Sequence, residues 1–240
     1  MTWLRSALFT LLQIIITPLF SLLALLTYPL PPQGRYRVIR QWANLFMWLA
    51  KVVLGIRYRV LGAERIPEVA SIVLAKHQSA WETMAFQQIF PPQVWVLKKE
   101  LLRIPFIGWG LAMTSPIAID RDAGRKALKQ TLQQGRERLD WGFWVVIFPE
   151  GTRVAPGTRG KYQIGGAWLA VHTGAPVVPV AHNAGEFWGK NAFLKRPGTI
   201  TVSIGEPIDP KGLNAQELTA RVEAWIEGEM ERISSVRSSS

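Results

Sequence analysis

Six short apolar runs, spaced along the chain after residue 70, constrain the fold more than any other feature. They cover residues 71–75, 94–97, 117–119, 145–148, 177–181 and 200–204. Uninterrupted apolar runs of this length are typical of strands buried on both faces of a parallel sheet. The stretches between them indicate helices, the clearest at 124–139, and a capping pattern at 214–217 opens a final amphipathic helix at 218–233. The sequence therefore predicts an α/β fold with a largely parallel central sheet flanked by helices.

An apolar stretch without a single charged residue runs from residue 6 to residue 34. A helix rises ~1.5 Å per residue, so about 20 residues cross the hydrocarbon core of a bilayer. A secretory signal peptide is the alternative, but the stretch is long and has no clear cleavage site. Pro18 interrupts it, which leaves shallow insertion open beside full spanning. We interpret the stretch as a retained membrane anchor.

A second apolar segment, at residues 38–55, carries Trp42 and Trp48 among the basic residues Arg40 and Lys51. Its apolar residues recur at spacings of three and four, and aromatic side chains stand beside basic ones. Both properties are typical of a helix that lies among lipid headgroups. A core helix of the following domain is the alternative, which the position beside the anchor disfavours.

These features divide the chain into two parts. Residues 1–58 form a predicted N-terminal two-helix membrane-binding motif, consisting of the anchor and the interfacial helix. Residues 59–240 are about 180 residues long, which suits a single α/β domain.

The charge balance indicates which partners the chain can bind. It has 28 Lys and Arg against 17 Asp and Glu, a net charge of +11, together with 11 Trp. Such a composition suits an anionic membrane surface and anionic substrates. Nucleic acid is not expected as a partner, because no recognisable nucleic-acid module is present. Basic residues cluster after the anchor, which places the following domain on the cytoplasmic side of a membrane; they are Arg35, Arg37, Arg40, Arg57 and Arg59.

His77 and Glu82 lie between the first strand-like run and a helix-like segment at 81–90. Histidine titrates near neutral pH, and a carboxylate on one ring nitrogen leaves the other free to act as a base. Five helical residues turn through about 500°, so the two side chains meet only if His77 precedes the helix and Glu82 lies in its first turn. Ser79 and Glu82 also match a capping box, in which Glu82 binds only backbone. The spacing permits a catalytic pair or a cap and does not decide between them.

A polar turn with the sequence Glu-Gly-Thr-Arg, residues 150–153, follows the apolar run at 145–148. Pro149 has no N–H to donate and therefore ends the strand. Open α/β sheets bind ligands at the carboxyl ends of their strands, and the planar fork of Arg153 suits a phosphate group. An ordinary strand-to-loop turn explains Gly and Thr at these positions equally well.

Four blocks occur in order along the chain, at residues 77–82, 115–121, 148–153 and 175–180. In the first, a histidine is followed after four residues by an acid, and a basic element at Lys98 and Lys99 lies between the first two blocks. Together the blocks resemble the glycerolipid acyltransferase family, within it the bacterial 1-acyl-glycerol-3-phosphate O-acyltransferases. Two positions depart from the family pattern: Glu82 stands where most members carry Asp, and Lys76 stands where Asn often precedes the histidine. These departures bear on the choice of acceptor more than on the reaction.

The resemblance implies transfer of a fatty acyl group from acyl-CoA or acyl carrier protein to the free hydroxyl of a lysophospholipid. The acceptor it favours is 1-acyl-glycerol-3-phosphate, which gives phosphatidic acid in phospholipid biosynthesis. It implies His77 as the general base and Glu82 as the acid that orients it. Lys98 is implied as an additional phosphate contact, and Lys99 is its rival. Adjacent strand residues point to opposite faces, so only one of the two is expected to face the site. The implied phosphate-binding residues are Arg121, Glu150, Gly151, Thr152, Arg153 and Lys98.

No metal or cofactor is expected beyond the acyl donor as co-substrate, since direct transfer needs no nucleophilic Cys or Ser and the histidines lack metal-ligand spacing. His172 is assigned a structural role and His182 none. The expected partners are membrane lipid, the lysophospholipid acceptor and the acyl donor, at the inner membrane with the domain facing the cytoplasm. Two alternatives stay open. One is a family member that acylates another lysophospholipid or a lipid amine; the other is a non-enzymatic membrane-associated lipid-binding protein, which would not need His77.

Overall fold

The structure is a computed structural model that describes residues 1–120 and 123–236. The strands of its sheet are β1 (Ile56–Leu61), β2 (Ile72–Ala75), β3 (Gln93–Lys98), β4 (Ile117–Ile119), β5 (Trp144–Ile147), β6 (Val177–His182) and β7 (Gly198–Ile204). They form one sheet in the order β1-β7-β6-β2-β5-β3-β4. Neighbouring strands run parallel except β6 and β7, which are antiparallel. The predicted α/β class with a largely parallel sheet is confirmed.

Helices surround the sheet in two groups that pack among themselves. The first group is α1 (Thr2–Leu26), α2 (Pro32–Leu49), α3 (Trp81–Ile89) and α4 (Ile107–Met113). The second group is α5 (Arg125–Asp140), α6 (Gly165–Thr173) and α7 (Ala215–Ile233). The capping pattern predicted before α7 is present, because the Asn214 side chain accepts from the Glu217 N–H at 2.9 Å and the Glu217 carboxylate accepts from the Asn214 N–H at 3.0 Å.

The central strands are apolar because both faces of the sheet are covered. Every residue of β2, β5 and β6 is buried. In β2, Ile72 lies beside Val145 of β5 on one side and beside Val177 of β6 on the other. The uninterrupted apolar runs in the sequence arise from this double burial. The carboxyl ends of β2, β5, β3 and β4 consequently meet along one edge of the sheet.

Strand β1 is the one element of the sheet that the apolar runs did not predict. Its sequence alternates apolar residues with Arg57 and Arg59, because it lies at the edge of the sheet and only part of it is buried. It pairs in parallel with β7, and the Arg59 guanidinium donates to Thr201 Oγ1 at 3.0 Å. These two arginines therefore belong to the sheet. The strand also runs across the predicted division between residues 58 and 59.

Helices α1 and α2 pack against each other and against the domain. The Phe9 and Phe46 rings meet edge to face at 5.9 Å, and Trp42 Nε1 donates to Thr17 Oγ1 at 3.4 Å. Helix α2 continues into a π-helical turn, Ala50–Leu54. Among the described residues, α1 is the one helix long and apolar enough to cross a membrane, and only 17% of its most apolar 18-residue window is buried.

Candidate active site

The sheet topology brings the motif residues to one edge. His77 follows β2, the Glu-Gly-Thr-Arg turn follows β5, Lys98 ends β3 and Asp120 follows β4. These four strands are consecutive neighbours in the sheet, and neighbouring strands lie ~4.8 Å apart. Side chains far apart in sequence are thus placed side by side at the carboxyl edge, where open α/β sheets bind ligands. Arg121, assigned to phosphate binding, lies outside the described residues.

His77 and Glu82 are in direct contact. The imidazole Nδ1 lies 2.8 Å from Glu82 Oε1. Glu82 is fully buried in the first turn of α3, whereas His77 lies in the loop before it and keeps 15% of its side chain exposed. The His77 ring stacks on Phe148, with centroids 3.9 Å apart. Stacking and the carboxylate contact together fix the orientation of an imidazole that solvent still reaches.

Glu82 contacts His77 and also accepts hydrogen bonds from backbone N–H groups before α3, although the N-cap of α3 is Ala80 and the predicted Ser79–Glu82 capping box is not formed. Glu82 Oε1 accepts from the Ser79 N–H at 2.9 Å and from the Gln78 N–H at 3.0 Å, as well as contacting His77. It therefore satisfies backbone donors ahead of α3 and also holds the histidine. Ser79 contributes in turn, because its Oγ accepts from the Trp81 N–H at 3.1 Å.

The protonation states follow from these contacts. Burial by itself raises the pKa of the Glu82 carboxyl. The charged form of the His182 ring, the hydrogen bond from His77 and the Ser79 N–H outweigh burial and hold that pKa below its usual value. An ionised carboxylate can only accept hydrogen bonds. Nδ1 of His77 therefore carries the hydrogen and donates a hydrogen bond to Oε1 of Glu82. The other ring nitrogen, Nε2, is then the basic one. The arrangement can therefore take a proton from a hydroxyl placed at the edge of the sheet.

Glu150 faces the interior and not the open edge of the sheet. Its side chain is completely buried. One oxygen accepts from the His77 backbone N–H at 2.9 Å, and the other accepts from the Gly160 N–H at 3.1 Å and from Lys76 Nζ at 2.8 Å. The loop after β5 is thus tied directly to the backbone of His77. These contacts use both carboxylate oxygens for positioning the loops.

Lys76 is the centre of a buried ionic cluster that the sequence did not predict. Its Nζ donates to Glu150 at 2.8 Å, to Glu227 of α7 at 2.9 Å and to the Thr158 carbonyl at 3.1 Å. An ammonium group has three hydrogens, and all three are used. Tyr162 donates to the same oxygen of Glu227 at 2.8 Å. The only indication in the sequence was Lys76 itself, which stands where Asn often precedes the histidine in the glycerolipid acyltransferase family.

His182, for which no role was predicted, contacts the backbone of the loop that carries Lys76 and His77. It is fully buried at the end of β6, and its Nε2 donates to the Lys76 carbonyl at 2.8 Å, while its Nδ1 accepts from the Ala184 N–H at 3.3 Å. Burial lowers the pKa of this imidazole, so it is neutral near pH 7. It supports the backbone immediately before His77. His172 lies on α6, where its Nδ1 is 2.9 Å from the Trp168 carbonyl, away from the motif loops.

Three of the remaining predicted phosphate residues, Gly151, Thr152 and Arg153, lie on the loop after β5, and Lys98 ends β3, the strand on the other side of β5. Gly151 adopts a positive φ of 70°, and the Val154 N–H donates to the His77 carbonyl at 2.8 Å, which brings the neighbouring Arg153 to the histidine loop. Thr152 is exposed, and its hydroxyl accepts from Lys190 at 3.4 Å. Among the two candidate lysines, Lys99 pairs with Asp120 on the surface, and Lys98 is exposed at the end of β3.

Comparisons with known proteins show the family and the fold of this chain. An acyltransferase family model matches residues 57–183. A 1-acyl-sn-glycerol-3-phosphate acyltransferase of Pseudomonas aeruginosa is 49% identical over 87% of this chain and 82% of its own length. The protein of the same name from Saccharomyces cerevisiae is 31% identical over 75% of this chain and 61% of its own. The crystal structure of the 1-acyl-sn-glycerophosphate acyltransferase from Thermotoga maritima superposes with a TM-score of 0.80, 24% identity, and coverage of 98% and 97% of the two chains, which shows the shared fold.

The lowered pKa of Glu82 predicts how its contribution to stability depends on pH. A carboxyl whose pKa falls below its ordinary value of 4.5 on folding stabilises the fold above that value. This stabilisation is lost as pH falls through the lower, folded-state pKa. Glu82→Gln should therefore reduce the free energy of unfolding near neutral pH, and its difference from the wild type should shrink on acidification. Urea unfolding between about pH 7 and about pH 3 measures this; a difference independent of pH would contradict it, and Glu82→Asp is the control that keeps the charge.

The buried cluster predicts that Lys76→Met destabilises the protein strongly. Methionine has a similar length but leaves Glu150 and Glu227 without their shared cation, and breaking a buried ion pair in this way costs about 3–5 kcal/mol. Arg159→Ala is the matched control, because its pair with Glu223 is exposed and contributes under ~1 kcal/mol. Urea unfolding of both variants measures the two losses. Adding Glu227→Gln to Lys76→Met should recover part of the loss, and no recovery would show that the two residues are not coupled.

Proposed function

This chain belongs to the acyltransferase family, and we propose that it transfers a fatty acyl group to the free hydroxyl of 1-acyl-glycerol-3-phosphate, giving phosphatidic acid. The observation that carries the proposal is the 2.8 Å contact between His77 Nδ1 and buried Glu82 at the carboxyl edge of the sheet, beside the Arg153 loop. Two relatives in the comparison above bear the name of this activity, one of them 49% identical. A base next to a cation suits an acceptor that carries both a hydroxyl and a phosphate.

The reaction is a direct transfer that needs no covalent enzyme intermediate. Nε2 of His77 takes the proton from the acceptor hydroxyl, and the oxygen attacks the thioester carbonyl of the acyl donor. The new C–O bond forms as the C–S bond breaks, and the thiolate that leaves takes up a proton from the imidazolium. Ionised Glu82 holds Nδ1–H throughout and stabilises the positive charge on the ring.

The acceptor phosphate is bound by the cations at the edge of the sheet. Arg153 contributes a planar guanidinium group. Lys98, which is exposed at the end of the neighbouring strand β3, contributes an ammonium group. Thr152 offers a hydroxyl, and the positive φ of Gly151 lets the backbone approach closely. Arg121 is proposed as a further cation on the basis of the motif alone. Glu150 acts here indirectly, because its carboxylate positions the loops and would repel a phosphate.

The acceptor is an amphiphile, and α1 provides the membrane contact. The helix packs on the protein along its whole length, through Ser6 against Lys195, Thr17 against Trp42, and Ser21 against α4. A helix held in this way cannot leave the domain to cross a bilayer by itself. Its outward side chains are large and apolar instead, so it lies in one leaflet with α2 beside it. The basic residues Arg35, Arg37 and Arg40, which follow α1, suit the anionic cytoplasmic face of the inner membrane.

The acyl donor is acyl-CoA or acyl carrier protein, each of which carries the thioester that the reaction requires. Purified protein assayed with both donors and a panel of lysophospholipids, including 1-acyl-glycerol-3-phosphate, tests the proposal directly. Transfer to another lysophospholipid or to a lipid amine, but not to 1-acyl-glycerol-3-phosphate, would correct the acceptor. No transfer from either donor to any acceptor would contradict the activity itself.

His77→Ala should lower kcat by a factor on the order of 10²–10⁴, because it removes the general base. The control is His172→Ala, which removes a histidine on α6 away from the motif loops. Steady-state kinetics on both variants, with circular dichroism to show that each is folded, measure the effect. Near-normal turnover in folded His77→Ala protein would refute the base assignment.

Arg153→Ala should raise the KM for the acceptor with a smaller effect on kcat, because a phosphate contact made before and during the reaction contributes mainly to binding. Arg159→Ala is the matched control, an arginine six residues further along that pairs with Glu223 on the surface. Separate titrations of acceptor and donor distinguish the two substrates. A raised donor KM with an unchanged acceptor KM would show that Arg153 binds the donor instead.

A further inference from the structure

The segment between β3 and the end of α4 exposes a group of large apolar side chains. It consists of a 3-10 turn, Lys99–Arg103, a short connection, and α4. Because it leaves the carboxyl end of β3, it begins at the same edge of the sheet as His77. Between 37% and 50% of each of these side chains is exposed: Leu101, Ile104, Phe106, Ile107 and Trp109. We name these five residues the apolar ridge.

The backbone under the apolar ridge is well defined. The Gly108 N–H donates to the Ile104 carbonyl at 2.7 Å, and the Ile107 N–H donates to the Pro105 carbonyl at 2.7 Å. A Cβ at Gly108 would lie only 2.3 Å from the Leu102 carbonyl oxygen, so the turn packs tightly against the start of α4. Phe106 has a φ of +62°, which is unfavourable for an aromatic residue. A strained backbone conformation thus lies among exposed apolar side chains. Strain of this kind is often found at functional sites.

The apolar ridge is continuous with the exposed face of α1. Helix α4 packs on α1, and a Cβ at Gly110 would lie 3.2 Å from Ser21 Oγ. Next to Ser21, the side chains of Leu19 and Leu22 are 58% and 49% exposed. Large apolar surfaces of this kind mark contacts with partners or membranes. The ridge thus extends the apolar surface of α1 toward the edge of the sheet that carries the motif residues.

The charges beside the apolar ridge distinguish between its possible partners. Lys98, Lys99 and Arg103 are exposed within or next to it, against exposed Glu100 and the Asp120 that pairs with Lys99. The remaining charge is positive, which suits an anionic partner. An acidic carrier protein and an anionic bilayer share this property. Continuity with the exposed face of α1, and aromatic side chains next to cations, favour the bilayer, since Trp and Phe beside Lys and Arg are typical of the headgroup region.

We propose that the apolar ridge inserts into the headgroup region of an anionic membrane as a third contact beside α1 and α2. Insertion places Lys98, at the end of β3, at the depth where the phosphate of a membrane-borne acceptor lies. The ridge thereby sets the distance between the bilayer and the carboxyl edge of the sheet, where His77 lies. This inference rests on the proposed function for the identity of the acceptor, and its membrane contact can be measured without any catalytic assay.

The chain contains no cysteine, so one introduced thiol gives a single labelling site. Three variants of the full chain, Ile107→Cys, Leu19→Cys and Val69→Cys, carry an environment-sensitive fluorophore on the ridge, on α1 and before β2, respectively. Val69 is 57% exposed and lies at the opposite edge of the sheet. Vesicles of phosphatidylglycerol and phosphatidylethanolamine with a nitroxide-labelled lipid should quench the probes at positions 107 and 19 and leave the probe at position 69 unchanged.

Three other results would overturn the inference, each in a different way. Quenching at position 19 without quenching at position 107 would show that the ridge stays in water. Quenching at neither position would refute the membrane role of α1 as well. A probe at position 107 that responds to acyl carrier protein and not to vesicles would identify the ridge as a protein-docking surface.

The functional consequence is tested with the pair Ile104→Asp and Ile107→Asp in one protein, against Val69→Asp. The double variant should transfer acyl groups about tenfold more slowly to an acceptor embedded in vesicles, because two charged side chains oppose insertion. Transfer to a short-chain acceptor that is monomeric in water should be unchanged. An equal loss with both acceptors would show damage to the active site and refute the positioning role. Absence of transfer by the wild type would refute the proposed function and leave the quenching result standing.

Discussion

The carboxylate of Glu82 is the constraint on which the candidate active site depends. A fully buried charge is costly unless it accepts hydrogen bonds, and Oε1 of Glu82 accepts three, from the His77 imidazole and the Gln78 and Ser79 N–H groups. Its other oxygen, Oε2, is buried without a hydrogen-bond partner among the described residues. The same contacts that stabilise the charge also define the start of α3 and the orientation of the histidine. The backbone before α3 and the orientation of the His77 ring therefore depend on the same carboxylate oxygen.

A second buried charge connects this loop to distant parts of the chain. Lys76 holds Glu150, from the loop after β5, and Glu227, from α7. Buried ion pairs seldom add stability over apolar packing, but they restrict which segments can meet, because an unpaired partner is expensive. Glu150 also accepts from the His77 N–H, so the ion pair and the His77 loop share one carboxylate. Helix α7, which lies after the family match ends at residue 183, consequently takes part in positioning His77.

Much of the sheet could be predicted from local patterns, because double burial makes β2 and β5 apolar throughout and β6 apolar up to His182, and turns end them sharply. Strand β1 was not predicted, because an edge strand is partly exposed and lacks an uninterrupted apolar run. Its two arginines were interpreted as part of the basic cluster after the anchor. Within the site, the His77–Glu82 spacing and the Glu-Gly-Thr-Arg turn were visible in the sequence. The inward orientation of Glu150 and the roles of His182 and Glu227 were not, because they arise from contacts between residues 70 or more positions apart.

The sequence alone determined the apolar segments, the order of the motifs and the set of chemical groups available for catalysis, since each of these depends on residue type and on short spacings. Only the tertiary structure decided how those groups are used. Whether a carboxylate orients a base, caps a helix or ties two loops together depends on which donors the sheet order brings within ~3 Å of its oxygens. That is a property of strand neighbours β2, β5, β3 and β4, which are adjacent in space although they are not consecutive along the chain.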